Sequence, residues 1–118
     1  MKKNKYNNKK TVIDGHKFDS RKEGDRYCVL RTRLNMGEIE DLRLQPRFKI
    51  ADGGMVDPQT GRKMADRYYV ADFSYTDKSG KTTVEDVKSA ITSKESTYRL
   101  KRHLFLMHYG DDCVFLEK

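Results

Sequence analysis

The chain has 118 residues, of which 36% are hydrophobic and 36% are charged. This length fits one compact domain with a modest core, and no apolar run approaches the ~20 residues that a membrane-spanning helix needs. The basic N-terminus also lacks the apolar stretch of a signal peptide. Composition therefore argues against a membrane protein, and we expect a soluble, cytoplasmic one.

The net charge of +7 is concentrated at the N-terminus. Residues 1–10 contain no acid, and five lysines give them a charge of +5: Lys2, Lys3, Lys5, Lys9 and Lys10. We therefore expect residues 1–11 to be a basic flexible arm and residues 12–118 to form a single domain. Such an arm suits contact with a phosphate backbone, but a solvated tail explains the charge equally well.

The first helix is predicted after Phe18. Asp19 or Ser20 can cap its N-terminus, and Glu23 follows Ser20 by three residues, as in a capping box. Gly37 ends the helix. Apolar side chains at helical spacing predict its buried face: Tyr27, Leu30 and Leu34.

Residues 39–50 are predicted to be extended, with Pro46 favouring an edge position or a bulge. Residues 51–66 are predicted to be a loop because glycines and a turn signal interrupt the pattern. Two strands, Arg67–Thr76 and Thr82–Ser89, then follow around a short hairpin turn at residues 78–80.

A second helix is predicted over Lys94–Tyr109, and Gly110 ends it. Its apolar face is predicted from three side chains: Leu100, Leu104 and Met107. Cys113–Leu116 is short and apolar and is predicted to be a last strand. The order is helix, three strands, helix, strand.

Two carboxylates occur where the apolar pattern predicts core. Glu23 lies at the N-terminal end of the stripe on the first helix, where burial is costly unless something binds the charge. Its alternative is a capping-box partner of Ser20. Asp72 interrupts an apolar strand, where aspartate is uncommon, and its alternative is a strand end that faces water.

The third polar feature is Asp86 with Lys88, which share one face of the predicted strand because they are two residues apart. Counting outward from a turn at residues 78–80 places Asp72 opposite Asp86. A slip of one residue places it opposite Glu85 instead. Two facing carboxylates repel each other unless a cation lies between them.

Carboxylate oxygens are suitable ligands for Mg²⁺ or Mn²⁺. Such an ion polarises a phosphoryl oxygen and lowers the pKa of a bound water. Lys88 would orient or deprotonate the attacking water, or neutralise charge on a phosphate. A salt bridge to Asp86 is the alternative role for Lys88, but it leaves Asp72 unexplained.

This constellation resembles the D…(D/E)-x-K signature of the PD-(D/E)xK nuclease superfamily: Asp72, 13 intervening residues, then Asp86-Val87-Lys88. Ala71 replaces the proline of that signature, and Ser89 follows where relatives usually have glycine. More closely, five short runs look like a family of small, phage-borne proteins of this superfamily: Asn4-Lys5-Tyr6, Asp14-Gly15-His16-Lys17-Phe18-Asp19-Ser20, Leu44-Gln45-Pro46, Tyr69-Val70-Ala71-Asp72-Phe73 and Glu85-Asp86-Val87-Lys88.

The resemblance implies an α/β fold with a restriction-endonuclease-like αβββαβ core, a mixed sheet flanked by two helices. It implies a Mg²⁺-dependent DNA endonuclease whose relatives include Holliday junction resolvases. Its catalytic residues would be Glu23, Asp72, Asp86 and Lys88. The three carboxylates would hold the metal, with Glu85 as a ligand if the register differs. A phage-encoded enzyme would act in the cytoplasm of the bacterial host.

DNA is the expected partner, although charge does not exclude RNA. Besides the lysines of the arm, four basic residues near the second helix are candidates for phosphate contact: Lys94, Arg99, Lys101 and Arg102. An enzyme that resolves branched DNA would be expected to form a symmetric homodimer. The alternative function is a non-catalytic nucleic-acid-binding or regulatory protein with the same fold. The clustered carboxylates argue against it, because they repel DNA unless a cation neutralises them.

Overall fold

The computed structural model describes residues 10–118. Its elements, numbered in chain order, are β1 (Thr11–Ile13), β2 (His16–Phe18), α1 (Arg21–Asn35), β3 (Ile39–Leu44), β4 (Arg47–Ala51), β5 (Arg67–Val70), β6 (Phe73–Asp77), β7 (Thr82–Asp86), α2 (Ser96–Tyr109) and β8 (Cys113–Glu117). A short 3₁₀ helix, Thr92–Lys94, precedes α2. No helix in this part of the chain is long and apolar enough to span a membrane.

Four strands form the central sheet in the order β3-β6-β7-β8. β3, β6 and β7 pair antiparallel, whereas β8 pairs parallel to β7 after the crossover through α2. The fold is therefore α/β, with a mixed sheet and two helices. The elements of this layer follow the chain as helix, three strands, helix, strand, and β4 and β5 are inserted between β3 and β6 as a separate antiparallel pair.

Each helix covers its own face of the sheet. On one face, α1 packs Tyr27 and Leu30 against Phe73 of β6. On the other, α2 packs Phe105 against Val84 of β7. Because side chains alternate along a strand, Phe73 and Tyr75 of β6 both enter the cluster under α1, whereas Val84 of β7 enters the cluster under α2.

The predicted first helix is confirmed, including its cap. Ser20 has extended backbone angles, and its side chain accepts a hydrogen bond of 3.1 Å from the N–H of Glu23. α1 ends at Asn35, just before Gly37, whose φ of +75° suits a helix terminus. Leu34, at the end of the predicted stripe, is largely exposed.

The predicted single strand Arg67–Thr76 is wrong in one respect: it is two strands, β5 and β6, that belong to different sheets. The break falls at Ala71 and Asp72. The N–H of Ala71 donates to the carbonyl of Pro46, and the N–H of Gln45 donates to the carbonyl of Asp72. β3 ends at the same level because Gln45 has a φ of +50° and Pro46 has no N–H for a ladder. The chain therefore leaves the central sheet after Leu44 and returns to it at Phe73, directly after Asp72.

Ala51, the first residue of the predicted loop 51–66, ends β4, and the rest of this segment partly continues the β4–β5 pair. The N–H of Met64 donates to the carbonyl of Met55, and Val56 and Lys63 form an isolated bridge. This segment is more ordered than its glycine content indicates.

The predicted apolar face of α2 is wrong. Leu100 and Met107 are more than 60% exposed, whereas Phe105 is completely buried. Phe105 is surrounded by rings, including those of Tyr69 and Phe115. The helix is oriented so that Phe105 faces the core, and of the predicted stripe only Leu104 packs against it.

A hairpin of β1 and β2 lies on α1 and was not predicted. Its turn at Asp14 and Gly15 has positive φ at both residues. Phe18, the last residue of β2, is buried in the core with Tyr27 of α1.

Candidate active site

The ladder of β6 and β7 leads to the predicted site. Its pairs run from Thr76 with Thr82 to Phe73 with Glu85, which agrees with the predicted turn. The ladder ends one residue short of the predicted pair between Asp72 and Asp86. There the N–H of Asp72 donates to the carbonyl of Glu85, at 3.1 Å.

The carboxylate of Asp72 is held at the end of β7. Its Oδ2 accepts a hydrogen bond of 2.7 Å from the N–H of Val87. Burial raises the pKa of Asp72, although this hydrogen bond and the charge of Lys88 act in the opposite direction. The surroundings of this side chain therefore solvate its charged form poorly.

Glu23 of α1 meets Asp72 across this end of the sheet. The helix cap at Ser20 fixes the first turn, and Glu23 is only 6% exposed. Burial, followed by the charge of Asp72 and a side-chain hydrogen bond to it, raises the pKa of Glu23 to about 7. The two carboxylates thus behave as a pair that holds a proton near neutral pH.

Asp86 is completely buried, and neither of its carboxylate oxygens has a hydrogen-bond partner among the described residues. Its nearest cation is the Nζ of Lys88, 3.7 Å from Oδ1. Burial raises the pKa of Asp86 to about 6, although Lys88 opposes the rise. A buried carboxylate without hydrogen bonds is costly, so this geometry suits a bound cation.

Lys88 lies just beyond β7, with its Nζ also 4.8 Å from the centre of the Tyr98 ring. Its carbonyl accepts a hydrogen bond of 2.9 Å from the Nζ of Lys22. Asp86 on one side and the ring face on the other hold the ammonium group at the site.

Glu85 lies next to Asp86 in sequence but points to the opposite face of the sheet. Arg26 of α1 binds both of its carboxylate oxygens at 2.7 Å, and the hydroxyl of Tyr75 donates to it as well. Burial alone would raise the pKa of Glu85, but Arg26 and Tyr75 outweigh it and hold the pKa below its usual value. The alternative ligand of the shifted register is thus already neutralised by protein groups.

Sequence reasoning did not identify Arg26 or Tyr75 as partners of Glu85. The signal was present in strand alternation, which places Glu85 on the face that α1 covers. Arg26 lies three residues after Glu23 on that helix, so both reach the sheet from one side.

A cavity of about 270 Å³ lies at this end of the sheet. Glu23, Asp72 and Lys88 line it, together with Lys22 and Thr92, whereas Asp86 is not among its lining residues. The structure therefore brings three of the four predicted catalytic residues together at one cavity: Glu23, Asp72 and Lys88. The fourth, Asp86, is buried in the protein interior beside Lys88.

Among residues 10–118, the basic residues predicted to contact nucleic acid do not line this cavity. Lys10, Lys94, Arg99 and Lys101 are exposed. Arg102 donates to Glu117 at 3.0 Å and, with Arg99, lines a separate cavity of about 260 Å³. The remaining predicted positions lie outside the described residues: Lys2, Lys3, Lys5 and Lys9.

Within residues 10–118, no three His, Cys, Asp or Glu side chains converge as a metal-binding group. A magnesium site needs fewer protein ligands, because Mg²⁺ keeps several waters and uses one or two carboxylates. The donors present are of the right chemistry: the two orphaned oxygens of Asp86 and the carboxylates of Glu23 and Asp72, which share a proton. The residues fit a hard divalent cation.

A family model described as "Protein of unknown function (DUF1064)" matches residues 3–116. No curated protein and no solved structure matches the chain.

Proposed function

Because the chain belongs to the DUF1064 family, a family of unknown function, we propose its activity from the site itself: hydrolysis of phosphodiester bonds in DNA by a Mg²⁺-dependent endonuclease. One observation carries the proposal. Asp86 is buried without a hydrogen-bond partner among the described residues and forms an ion pair with Lys88, which lines the same cavity as Glu23 and Asp72. That arrangement is costly without a cation and is suited to phosphate chemistry with one.

The element order supports the finer fold assignment that belongs to this proposal. α1, β3, β6, β7, α2 and β8 follow the αβββαβ order of a restriction-endonuclease-like core. In such a core the β4–β5 pair would be an insertion that begins and ends beside Asp72.

Asp86, Asp72 and Glu23 would hold Mg²⁺ or Mn²⁺, with water completing the coordination. When bound, the ion supplies Lewis acidity that polarises a phosphoryl oxygen and lowers the pKa of a coordinated water. Because the pKa of Glu23 is raised to about 7, the Glu23–Asp72 pair is partly protonated at neutral pH, and it would release that proton if both carboxylates bound a cation.

Lys88 contributes a positive charge at the cavity wall. Its ammonium group is held near Asp86 and the ring of Tyr98, so its position is set before substrate binds. There it would neutralise charge that develops on the phosphate and orient the attacking water. Such groups contribute about 10²-fold or more to the rates of hydrolytic enzymes.

The test is cleavage of linear, supercoiled and four-way-junction DNA with Mg²⁺, Mn²⁺ or EDTA. Asp72→Asn and Asp86→Asn should reduce metal-dependent cleavage to background, and Lys88→Met should reduce it about 100-fold. Asp112→Asn and Lys78→Met change exposed residues of the same types outside the site and should leave cleavage unchanged.

The substrate preference assigns the kind of nuclease. Selective cutting of the four-way junction would identify a resolvase-like enzyme, which needs two active sites and should sediment as a symmetric dimer. A matched RNA substrate tests the choice of DNA. Tight DNA binding without cleavage at any metal concentration would overturn the enzymatic proposal in favour of a non-catalytic binding protein.

A further inference from the structure

A second cavity, of about 520 Å³, lies beside the one already described. It is lined by Lys17, His16 and Gln45, and also by Glu23 and Asp72. The two cavities share only Glu23 and Asp72 among their lining residues. They therefore meet at the carboxylate pair and extend from it in different directions.

The β1–β2 hairpin that forms the wall of the second cavity is tightly docked on α1. The hydroxyl of Tyr27 and the guanidinium of Arg31 both donate to the carboxylate of Asp14 in the turn. At Gly24 a Cβ atom would lie 3.1 Å from the Cδ1 of Ile13, so the helix and the hairpin approach closely. Lys17 therefore lies on a hairpin whose position relative to α1 is fixed by these contacts.

Lys17 is exposed and has no ion pair among the described residues. Its neighbour His16 packs its ring edge-on against Tyr27 at 5.7 Å between centroids, which leaves the wall of the cavity partly aromatic. This side of the pair therefore offers an uncommitted ammonium group on a rigid hairpin.

Lys22 supplies the corresponding ammonium group in the first cavity. One of its three N–H donors binds the carbonyl of Lys88, which holds the ammonium group over the end of β7. Two donors remain for a ligand. Lys17 and Lys22 thus each supply a positive charge to a different cavity, with the carboxylate pair between them.

We propose that the two cavities form one trough for a single nucleic-acid strand, in which Lys17 and Lys22 bind backbone phosphates on opposite sides of the Glu23–Asp72 pair. This inference rests on the proposed function for the chemical class of its ligand, because nucleic acid is the substrate proposed above. A polyanion meets Lys17 on one flank and Lys22 and Lys88 on the other. The negative charges that it meets are those of the Glu23–Asp72 pair and of Asp19, which lines the first cavity and acts on both carboxylates of the pair. Lys17 does not belong to the set of basic residues that the sequence assigned to nucleic-acid contact.

The test measures binding of a fluorescein-labelled single-stranded oligonucleotide, as DNA and as RNA, to the full chain in EDTA at several salt concentrations. Lys17→Gln and Lys22→Gln remove the charge, and glutamine at position 22 keeps a donor for the carbonyl of Lys88. Each variant should weaken binding several-fold and reduce the salt slope by about 0.7, the value for one phosphate contact with a single strand. The double variant should lose both contributions, because the two lysines line different cavities and would contact different phosphates.

Lys78→Gln is the matched control, because Lys78 lies in the turn at the other end of β6 and β7. If Lys17→Gln and Lys22→Gln bind like the control and wild type cleaves DNA, the trough is overturned while the nuclease stands. If both variants lose affinity and salt dependence but wild type cleaves nothing, the trough stands as a binding surface and the nuclease fails. If both variants lose affinity and salt dependence, wild type cleaves DNA, and the variants show a raised KM without a fall in kcat, the trough and the nuclease both stand.

Discussion

Glu85 and Asp86 are adjacent on β7, and both side chains are completely buried. Arg26 and Tyr75 neutralise Glu85, so its pKa falls below the usual value despite burial. Asp86 has only an ion pair with Lys88, whose Nζ lies 3.7 Å from Oδ1, and burial raises its pKa to about 6. What makes Asp86 a candidate ligand is therefore not burial alone but burial without a hydrogen-bond partner among the described residues.

The first prediction concerns Asp86 in the metal-free protein. Its folded-state pKa lies above the unfolded value of 3.8, so its contribution to stability is fully present below about pH 4 and is lost as pH rises through about 6. Asp86→Asn removes the buried charge. We expect the variant to be more stable than wild type at about pH 7.5, by at most about 3 kcal/mol, and the difference to vanish below about pH 4.

Urea unfolding in EDTA at a series of pH values measures this difference directly. The exposed Asp112→Asn should change stability by less than about 0.5 kcal/mol at every pH. A gap between wild type and Asp86→Asn that does not vary with pH would contradict the assignment of the raised pKa to Asp86.

At the scale of elements, the ion pair of Arg26 and Glu85 connects α1 to β7. These two elements carry Glu23 and Asp86, so the pair helps to set how the predicted ligands approach each other. The side chain of Arg26 is 18% exposed and that of Glu85 is not exposed at all. Solvent therefore screens this pair little, and each partner depends on the other.

Arg26→Met should cost about 3–5 kcal/mol of unfolding free energy, because it leaves Glu85 buried and uncompensated. Adding Glu85→Gln should recover most of that loss, since the buried charge is then gone. Arg31→Met removes an exposed pair with Asp14, which solvent screens, and should cost much less than Arg26→Met. Chemical denaturation of wild type and these three variants at neutral pH checks the prediction, and a double variant as unstable as Arg26→Met would refute it.

At the scale of the whole molecule, the candidate site draws on parts of the chain that are far apart in sequence. Glu23 begins a helix, Asp72 lies in the break between β5 and β6, and Asp86 ends β7. Glu23 and Asp72 meet, and Asp86 comes to lie beside Lys88, only in the folded chain, so a divalent cation bound there would stabilise the folded state by mass action.

We therefore expect Mg²⁺ to raise the Tm of the wild-type protein at about pH 7.5. Saturation at 100 times the Kd corresponds to about 2.7 kcal/mol, which is a shift of several degrees for a domain of this size. Asp86→Asn and Asp72→Asn should lose the shift, and Asp112→Asn should keep it. Thermal unfolding with increasing MgCl₂ provides the measurement, with NaCl at equal ionic strength as the reference; an undiminished shift in Asp86→Asn would exclude that residue as a ligand.

Much of the element order was predictable because local patterns are strong here. The cap at Ser20 and the turn before Gly80 depend on neighbouring residues, and both occur as predicted. The break at Asp72 was not predictable, because the run from Tyr68 to Phe73 is apolar enough for one continuous strand. The run is divided because its first part, β5, pairs with β4, whereas its second part, β6, pairs with β3 in the central sheet.

The packing of α2 also depended on distant partners. Leu100, Leu104 and Met107 satisfy helical periodicity, but the rings around Phe105 offer more buried contact than an aliphatic stripe. Periodicity identifies a face that is able to pack; the neighbouring surface determines which face does so.

The sequence by itself determined the α/β class, the helix boundaries and the set of acidic residues worth examining, because these follow from patterns within a few residues. The tertiary structure decided which carboxylates have protein partners, joined Glu23 to Asp72 and placed Lys17 and Lys22 in cavities on either side of them. Those relations depend on packing between α1, the β1–β2 hairpin and the ends of β6 and β7. Contacts between distant segments leave no local pattern, and only the folded chain brings them together.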